Sequence, residues 1–444
     1  MLSGSITKAL LVMTMPIMVM NVMQSLFGVV DMTILGRLVN DTATGAVGAC
    51  GTLITLCTVL LIGVSIGANV IVARRIGSGN LESTGKAVGT SVLFAIVGGF
   101  ILLIVGVVFA EQMLILTNCP EALLPQAVIY FKLYFLGVPV LMLYNFCASI
   151  LRSIGETKRP MYYLIIGGVV KVLLNLFCIL VLKLTVEGVA IATIVSNIIT
   201  GGLAFRLLLK KRESLGFNFK LIRFYPDELK EILFVGVPAG VQKALYSFAN
   251  VVIVTAVNSF GEDATTGVAI ANQFDGILYQ IVCATSFAAT PYISQNIGAG
   301  KLSRAKKTVW ISTLITIAFG VVFGSLSAIF SGKLSSLMSS TPEVIKYSCG
   351  KMVIISSTYF ICGINEIIGG ALRGMNKPII PTVTTLVFMC LIRFVWVYAV
   401  FPLVPSLTFL YLIWPIGWVL SITTQLIAYF PAMSKLQKKY GDLG

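Results

Sequence analysis

Ionisable side chains stand where this sequence is otherwise most apolar. Asp31, Lys132, Lys171, Lys243, Asp275, Glu366 and Arg393 each interrupt a long hydrophobic stretch. A charge at the centre of a membrane helix costs about 2.5–3.5 kcal/mol on the insertion scale. Facing lipid together, these groups would cost on the order of 20 kcal/mol, so they must pair or border a polar cavity. The chemistry open to them is transfer: taking up a proton, holding a small cation, or neutralising a charged solute. Bond-breaking chemistry finds little support. The chain has no histidine (His 0), hence no imidazole base and no imidazole metal ligand. It shows no Ser/His/Asp constellation and no G-x-x-x-x-G-K-[ST] phosphate loop, so neither an enzyme nor an ATP-driven pump is expected. Its 9 cysteines have neither zinc-site nor disulfide-framework spacing and read as small buried hydrophobes. Cys119 and Cys349, near segment ends, are the one pair considered for approach.

The elements that must position these groups are membrane helices. Of the 444 residues 57% are hydrophobic and only 11% charged, where a soluble chain needs roughly 25% charged residues. Mean hydropathy is +0.97. Apolar runs of at least ~18 residues lie near 8–36, 44–71, 85–109, 122–149, 160–183, 187–209, 231–258, 264–292, 306–330, 344–371, 379–402 and 407–432. The fold class is therefore all-α membrane protein, with about twelve transmembrane helices. The net charge of +15 does not point to nucleic acid, because the basic residues form no stripe with interleaved aromatics. They cluster between alternate spans instead: Arg74, Arg75 and Lys86; Arg152, Lys158 and Arg159; the 206–230 segment; Lys301 to Lys307; Arg373 and Lys377; and Lys435, Lys438 and Lys439 in the tail. The opposite connections hold few, among them Arg37, Lys183, Lys333, Lys346 and Lys351. The positive-inside rule then places both termini in the cytoplasm. A multi-pass protein of the cell (inner) membrane is expected, without a cleavable leader.

The chain also repeats. Ile76-Gly77-Ser78-Gly79-Asn80-Leu81 returns as Ile297-Gly298-Ala299-Gly300-Lys301-Leu302, Leu151-Arg152 as Leu372-Arg373, Pro16 as Pro238, and Pro120-Glu121 as Pro342-Glu343. Two six-helix bundles are expected, 1–209 and 231–444, joined by a basic cytoplasmic linker at 210–230. Such repeats belong to transporters, in which one half rocks against the other around a shared site. At ~1.5 Å per residue Lys171 lies roughly 16 Å into its span, near the midplane. Lys243 and Asp275 come out at similar depth, Asp31 farther out and Glu366 nearer the cytoplasm. Plainer roles compete. Lys132 can snorkel to the interface, and Lys243 and Asp275 can form a static pair locking two helices. Arg152 and Arg373 can close helix C-termini. Phe27, Tyr144, Tyr246, Tyr279, Tyr359, Trp396 and Trp414 read as packing or interface residues.

Several segments carry a family resemblance over nearly the whole length. They are Val30-Asp31-Met32-Thr33-Ile34-Leu35-Gly36-Arg37, Leu151-Arg152-Ser153-Ile154-Gly155-Glu156-Thr157-Lys158, and Gly188-Val189-Ala190-Ile191-Ala192-Thr193. In the second half they are Gly236-Val237-Pro238-Ala239-Gly240-Val241-Gln242, Gln295-Asn296-Ile297-Gly298-Ala299-Gly300 and Ala371-Leu372-Arg373-Gly374. In this order the chain resembles a multidrug and toxic compound extrusion (MATE) transporter of the prokaryotic DinF-like branch. The resemblance implies a V of two pseudo-symmetric six-helix bundles. It also implies efflux of amphipathic small molecules by alternating access, driven by inward H⁺ or Na⁺, with no cofactor or resident metal. It carries the coupling carboxylate onto Asp31 and the sixth-helix cation ligand onto Thr193. In sodium-binding members a fifth-helix Asn-x-x-x-Asp completes the cage, whereas here those places hold Lys171 and Asn175. An ammonium replaces an oxygen ligand and one carboxylate is gone. H⁺ coupling through Asp31, paired with Lys171, is therefore expected over Na⁺.

Glu366 is the second coupling candidate. Gln242, Lys243, Asp275, Tyr144, Asn145, Asn365 and Arg393 are candidates to line a substrate cavity. An anionic lipid-linked or metabolite substrate stands beside the amphipathic-drug reading, since Lys171, Lys243 and Arg393 lie at cavity depth. A channel or receptor fits less well, given the short outer connections and the repeat. A monomer in the lipid bilayer, without nucleic acid, is expected.

Overall fold

The computed structural model describes Met1–Tyr440, apart from the side chains of Asp41, Lys439 and Tyr440. Lys439 of the tail and residues 441–444 of the expected C-terminal bundle thus lie outside what can be described. Among the described residues the chain is helical without strands. In hydrocarbon only internally bonded backbone is tolerated, and helices satisfy that within a single segment.

Eleven helices are long and apolar enough to cross a membrane, or up to 12 spans with one bent pair counted. In chain order they are α1 (Ile6–Leu38), α2 (Asp41–Gly77), α3 (Leu81–Val108), the bent α4 (Leu124–Leu136 and Val138–Ser153), α5 (Lys158–Leu180) and α6 (Val186–Lys210). The second set is α7 (Pro226–Asn258), α8 (Glu262–Gly298), α9 (Leu302–Ile329), α10 (Pro342–Gly374), α11 (Ile379–Leu403) and α12 (Leu407–Lys438). Every apolar run read from the sequence falls on one of these. The 46° bend of α4 comes at Gly137, just before Pro139, where the missing N–H and the proline ring break the ladder. Asn40 and Asn80 open α2 and α3 by accepting the backbone N–H groups of Ala43 at 2.7 Å and Ser83 at 2.9 Å. The repeat appears in backbone geometry too. Gly79 and Gly300, which close α2 and α8, both adopt φ +73°, a left-handed turn that favours glycine.

Contacts divide the chain into two compact units. One is Val22–Gly240; the other is Met1–Asn21 together with the chain from Val241 onward. The unit limits fall inside α1 and α7 rather than in loops, so each of these helices contributes to both units. In Val22–Gly240, Gly63 and Gly67 of α2 meet Gly240 and Gly236 of α7. A Cβ on Gly63 would stand 2.1 Å from the Gly240 Cα. Small residues let helices approach this closely where lipid supplies no hydrophobic driving force. Arg75 adds ion pairs to Glu228 at 3.2 Å and Glu231 at 2.9 Å. The basic linker is ordered: its turn at Phe219–Leu221 lies on α3 at Gly85 and Gly89, and Thr90 Oγ1 donates to the Arg223 carbonyl at 3.2 Å. One apolar cluster in this unit gathers Leu35, Cys50, Phe131, Phe135, Met142 and Val189. The other unit has its own around Ile253, Leu278, Met389, Leu410 and Trp418. All 9 cysteines are free thiols, Cys119 and Cys349 included.

Candidate functional site

Within Val22–Gly240, α1 and α5 bring a short set of polar groups together. Lys171 Nζ lies 2.5 Å from Asp31 Oδ2, and Asn175 Nδ2 donates to Asp31 Oδ1 at 2.7 Å. Lys171 and Asn175 sit one turn apart on one helix face, so both can reach the same carboxylate. Asp31 is 8% exposed and Asn175 fully buried. The seam is held one turn away by Phe27, whose ring occupies the space over Gly168. A Cβ there would meet Phe27 Cζ at 1.8 Å. Tyr130 and Tyr134 of α4 lie within electrostatic reach of Asp31. Sequence reasoning missed this pair because nothing local marks a tyrosine for a carboxylate three helices away.

Other candidates of this half stand apart from that set. The Thr193 hydroxyl donates to its own helix at Val189 O, 2.8 Å away. The Asn145 amide does the same to Leu141 O at 2.9 Å. Tyr144 is buried on the second limb of α4, within electrostatic reach of Arg152. Arg152 in turn donates to Ser149 Oγ at 2.7 Å. Lys132 is exposed, as snorkelling requires.

In the other unit the static pair of Lys243 with Asp275, the plainer role weighed for these two, is not formed. Asp275 Oδ2 lies 2.9 Å from Lys351 Nζ, which also bonds Asn272. Lys243 instead lies over the Phe287 ring, 5.4 Å from its centre. Phe287 and Asp275 are both on α8, about 18 Å apart along the axis, so the two contacts cannot coincide. Lys351, read from the sequence as an interfacial residue, is 2% exposed. It stands about 13 Å into α10 from Pro342, and counting from that proline would have revealed it. Arg373 is likewise buried rather than at a free edge, and its Nη1 donates to Gln242 Oε1 at 2.9 Å. Gln242 Nε2 continues to Thr385 Oγ1 at 3.1 Å, tying α7, α10 and α11 together.

Asn365 and Glu366 differ although adjacent. Asn365 Oδ1 accepts from Ser421 Oγ at 2.7 Å and Gln425 Nε2 at 3.0 Å, a buried network between α10 and α12. Glu366 is half-buried, and its charge reaches Arg373, Tyr246 and Tyr279. Arg393 is 1% exposed, donates from Nη1 to Asn250 Oδ1 at 2.7 Å, and lies 5.0 Å from the centre of the Trp414 ring. Among its described residues this unit therefore buries Lys351, Arg373 and Arg393 against one buried carboxylate, Asp275.

Comparison with known proteins identifies the family. The MatE family pattern matches twice, over 16–177 and 238–399. The two matches are separated by the interval that carries Pro16 to Pro238. The chain is 27% identical over 390 residues to the probable multidrug resistance protein YoeA of Bacillus subtilis, covering 86% of this chain and 84% of that one. It is 26% identical over 402 residues to a protein of Shewanella oneidensis described as an FAD transporter, covering 87% and 86%. In fold it is similar to the Vibrio cholerae MATE transporter VcmN in its bent form, with TM-score 0.89, 18% identity and 98% of each chain covered. Two copies of the family pattern spanning both helical sets make the conclusion plain: this chain belongs to the MATE family of membrane transporters, which are transporters and not enzymes.

Proposed function

We propose that the protein is a proton-coupled efflux antiporter that exports small molecules by alternating access, with Asp31 as the coupling carboxylate. The observation that carries this reading is the occupation of both Asp31 oxygens, one by Lys171 and one by Asn175. A sodium cage needs free oxygen ligands and net negative charge. Here an ammonium stands in that place, worth about 4 kcal/mol at ~4 Å and an effective dielectric near 20. A proton on Asp31 removes the charge that holds Lys171 and frees α1 from α5. The Thr193 hydroxyl donates its hydrogen to Val189 O, and its oxygen keeps its acceptor lone pairs. Glu366 remains the second candidate for coupling in the other half. The bundles 1–209 and 231–444 are the moving halves in this reading, linked by 210–230. The protein works as a monomer in the cell membrane with both termini in the cytoplasm.

The test uses proteoliposomes under separately imposed proton and sodium gradients, with ethidium and flavin mononucleotide as cationic and anionic probes. A proton gradient alone is expected to drive transport, and Asp31→Asn to abolish it. Lys171→Asn combined with Asn175→Asp is expected to convert the protein to sodium dependence. Wild-type transport driven by sodium alone would end this assignment.

A second reading, export of an anionic metabolite or lipid-linked molecule, draws support from the excess of buried cations beyond Val241. A relative described as transporting FAD, an anionic dinucleotide, supports it as well.

A further inference from the structure

Arg393 on α11 is the repeat counterpart of Lys171 on α5, at the interval that relates Pro238 to Pro16. Each cation faces the first helix of its half. On α1 the facing group is the Asp31 carboxylate; on α7 it is only the neutral amide of Asn250. Arg393 Nε and Nη2 are buried without a hydrogen-bond partner. Among the described residues it forms no ion pair, and its close neighbour Trp414 is shared with Lys351, which Asp275 already neutralises. A buried guanidinium left in that condition is destabilised by desolvation that one amide hydrogen bond and the Trp414 ring repay only in part.

Two further features mark the place. α11 winds as π-helix at Leu386–Leu391 and Trp396–Val400, on either side of the short turn that bears Arg393. Such widened turns re-aim side chains and concentrate at functional sites. Asn250 is exposed about 12 Å from the C-terminal end of α7, a depth at which lipid does not favour a lone amide. Asn250 thus gives the Nη1 side of the guanidinium a polar neighbour, while Nε and Nη2 are covered.

We propose that Arg393 is an anion-binding site, which takes a carboxylate or phosphate oxyanion of the transported molecule on Nε and Nη2. Those two donors form one edge of the guanidinium and match the spacing of two oxyanion oxygens. Trp414 supplies an aromatic surface beside the bound group. The exported substrate thus brings the negative charge that the ionised Asp31 side chain supplies in the other half. This names the substrate class of the export reading and rests on it.

Purified protein is titrated with benzoate and phenyl phosphate, and with neutral benzamide as control, followed by calorimetry and tryptophan fluorescence. Both anions are expected to saturate a site and benzamide to fail. Arg393→Gln should weaken anion binding about ten- to a hundredfold. Asn250→Asp installs the missing carboxylate at an exposed position. It should weaken binding to the same extent while the unfolding temperature holds or rises, so a misfolded Arg393 variant cannot decide the matter alone. Absence of saturable anion binding, equal binding of benzamide, or full anion affinity in Asn250→Asp overturns the proposal. Binding is read without any gradient. Failure of proton coupling leaves this readout standing, and failure of this site leaves gradient-driven transport at Asp31 standing.

Discussion

A buried lysine in this protein does one of two jobs according to the carboxylate opposite it. Lys171 meets Asp31 in a pair that is still 15% and 11% exposed by side chain, whereas Lys351 meets Asp275 at 3% and 9%. The drier pair is the poorer candidate for a switch and the better one for a lock, because its lysine is the less exposed to solvent. Removing one partner of such a pair leaves an uncompensated charge and costs about 3–5 kcal/mol. Lys351→Met is therefore expected to lower the unfolding temperature in detergent markedly. Lys351→Met with Asp275→Leu should recover most of the loss, since apolar replacement of both partners is tolerated. Equal destabilisation of single and double variants would mean that the pair is not what Lys351 contributes.

Elements carry these residues into register through small contacts. α1 lies on α5 with the Phe27 ring filling the groove over Gly168, one turn from Asp31 and Lys171. Gly168→Val should push the ring out and part the ion pair, lowering proton-driven transport at least tenfold without preventing insertion. Phe27→Ala in the same chain should restore much of it by vacating the groove. Transport in proteoliposomes measures both. Restoration absent, with both proteins folded, would uncouple the seam from function. α11 differs from its counterpart α5 at this scale: α5 is a regular helix, while α11 alternates α and π turns around Arg393. Apolar composition alone made the two look alike.

At the scale of the molecule, the distribution of basic residues makes a directional prediction. A tag appended after the C-terminal tail, which carries Lys435 and Lys438, should be protected from protease in intact cells and cleaved only after permeabilisation. A tag placed in the connection bearing Lys333 should behave oppositely. Accessibility of both tags in intact cells would reverse the assigned orientation. The contact units complicate the picture of two halves meeting at a loop. Residues 1–21 belong with the chain beyond Val241, and 226–240 with the first set of helices. The first and seventh helices each serve both units, which no linear division at the linker anticipates.

Hydropathy by itself indicated the class and the approximate places of about twelve spans, because lipid imposes a minimum length and one backbone solution on every crossing segment, while several helices run farther than their apolar runs. The repeat was legible as well, and the family resemblance put Lys171 opposite Asp31; that Asn175 takes the second carboxylate oxygen came from the structure. Tertiary structure decided the rest. Whether Asp275 meets Lys243 or Lys351 depends on which faces of α8 and α10 pack, and sequence distance does not encode that. Gln242, Asn365, Asn145 and Thr193 looked alike as polar residues in apolar runs. Packing alone sent the first two into networks between helices and returned the other two to carbonyls of their own turns. Arg393 was visible as a charge in the chain, but only its three-dimensional company showed that the facing group is an amide.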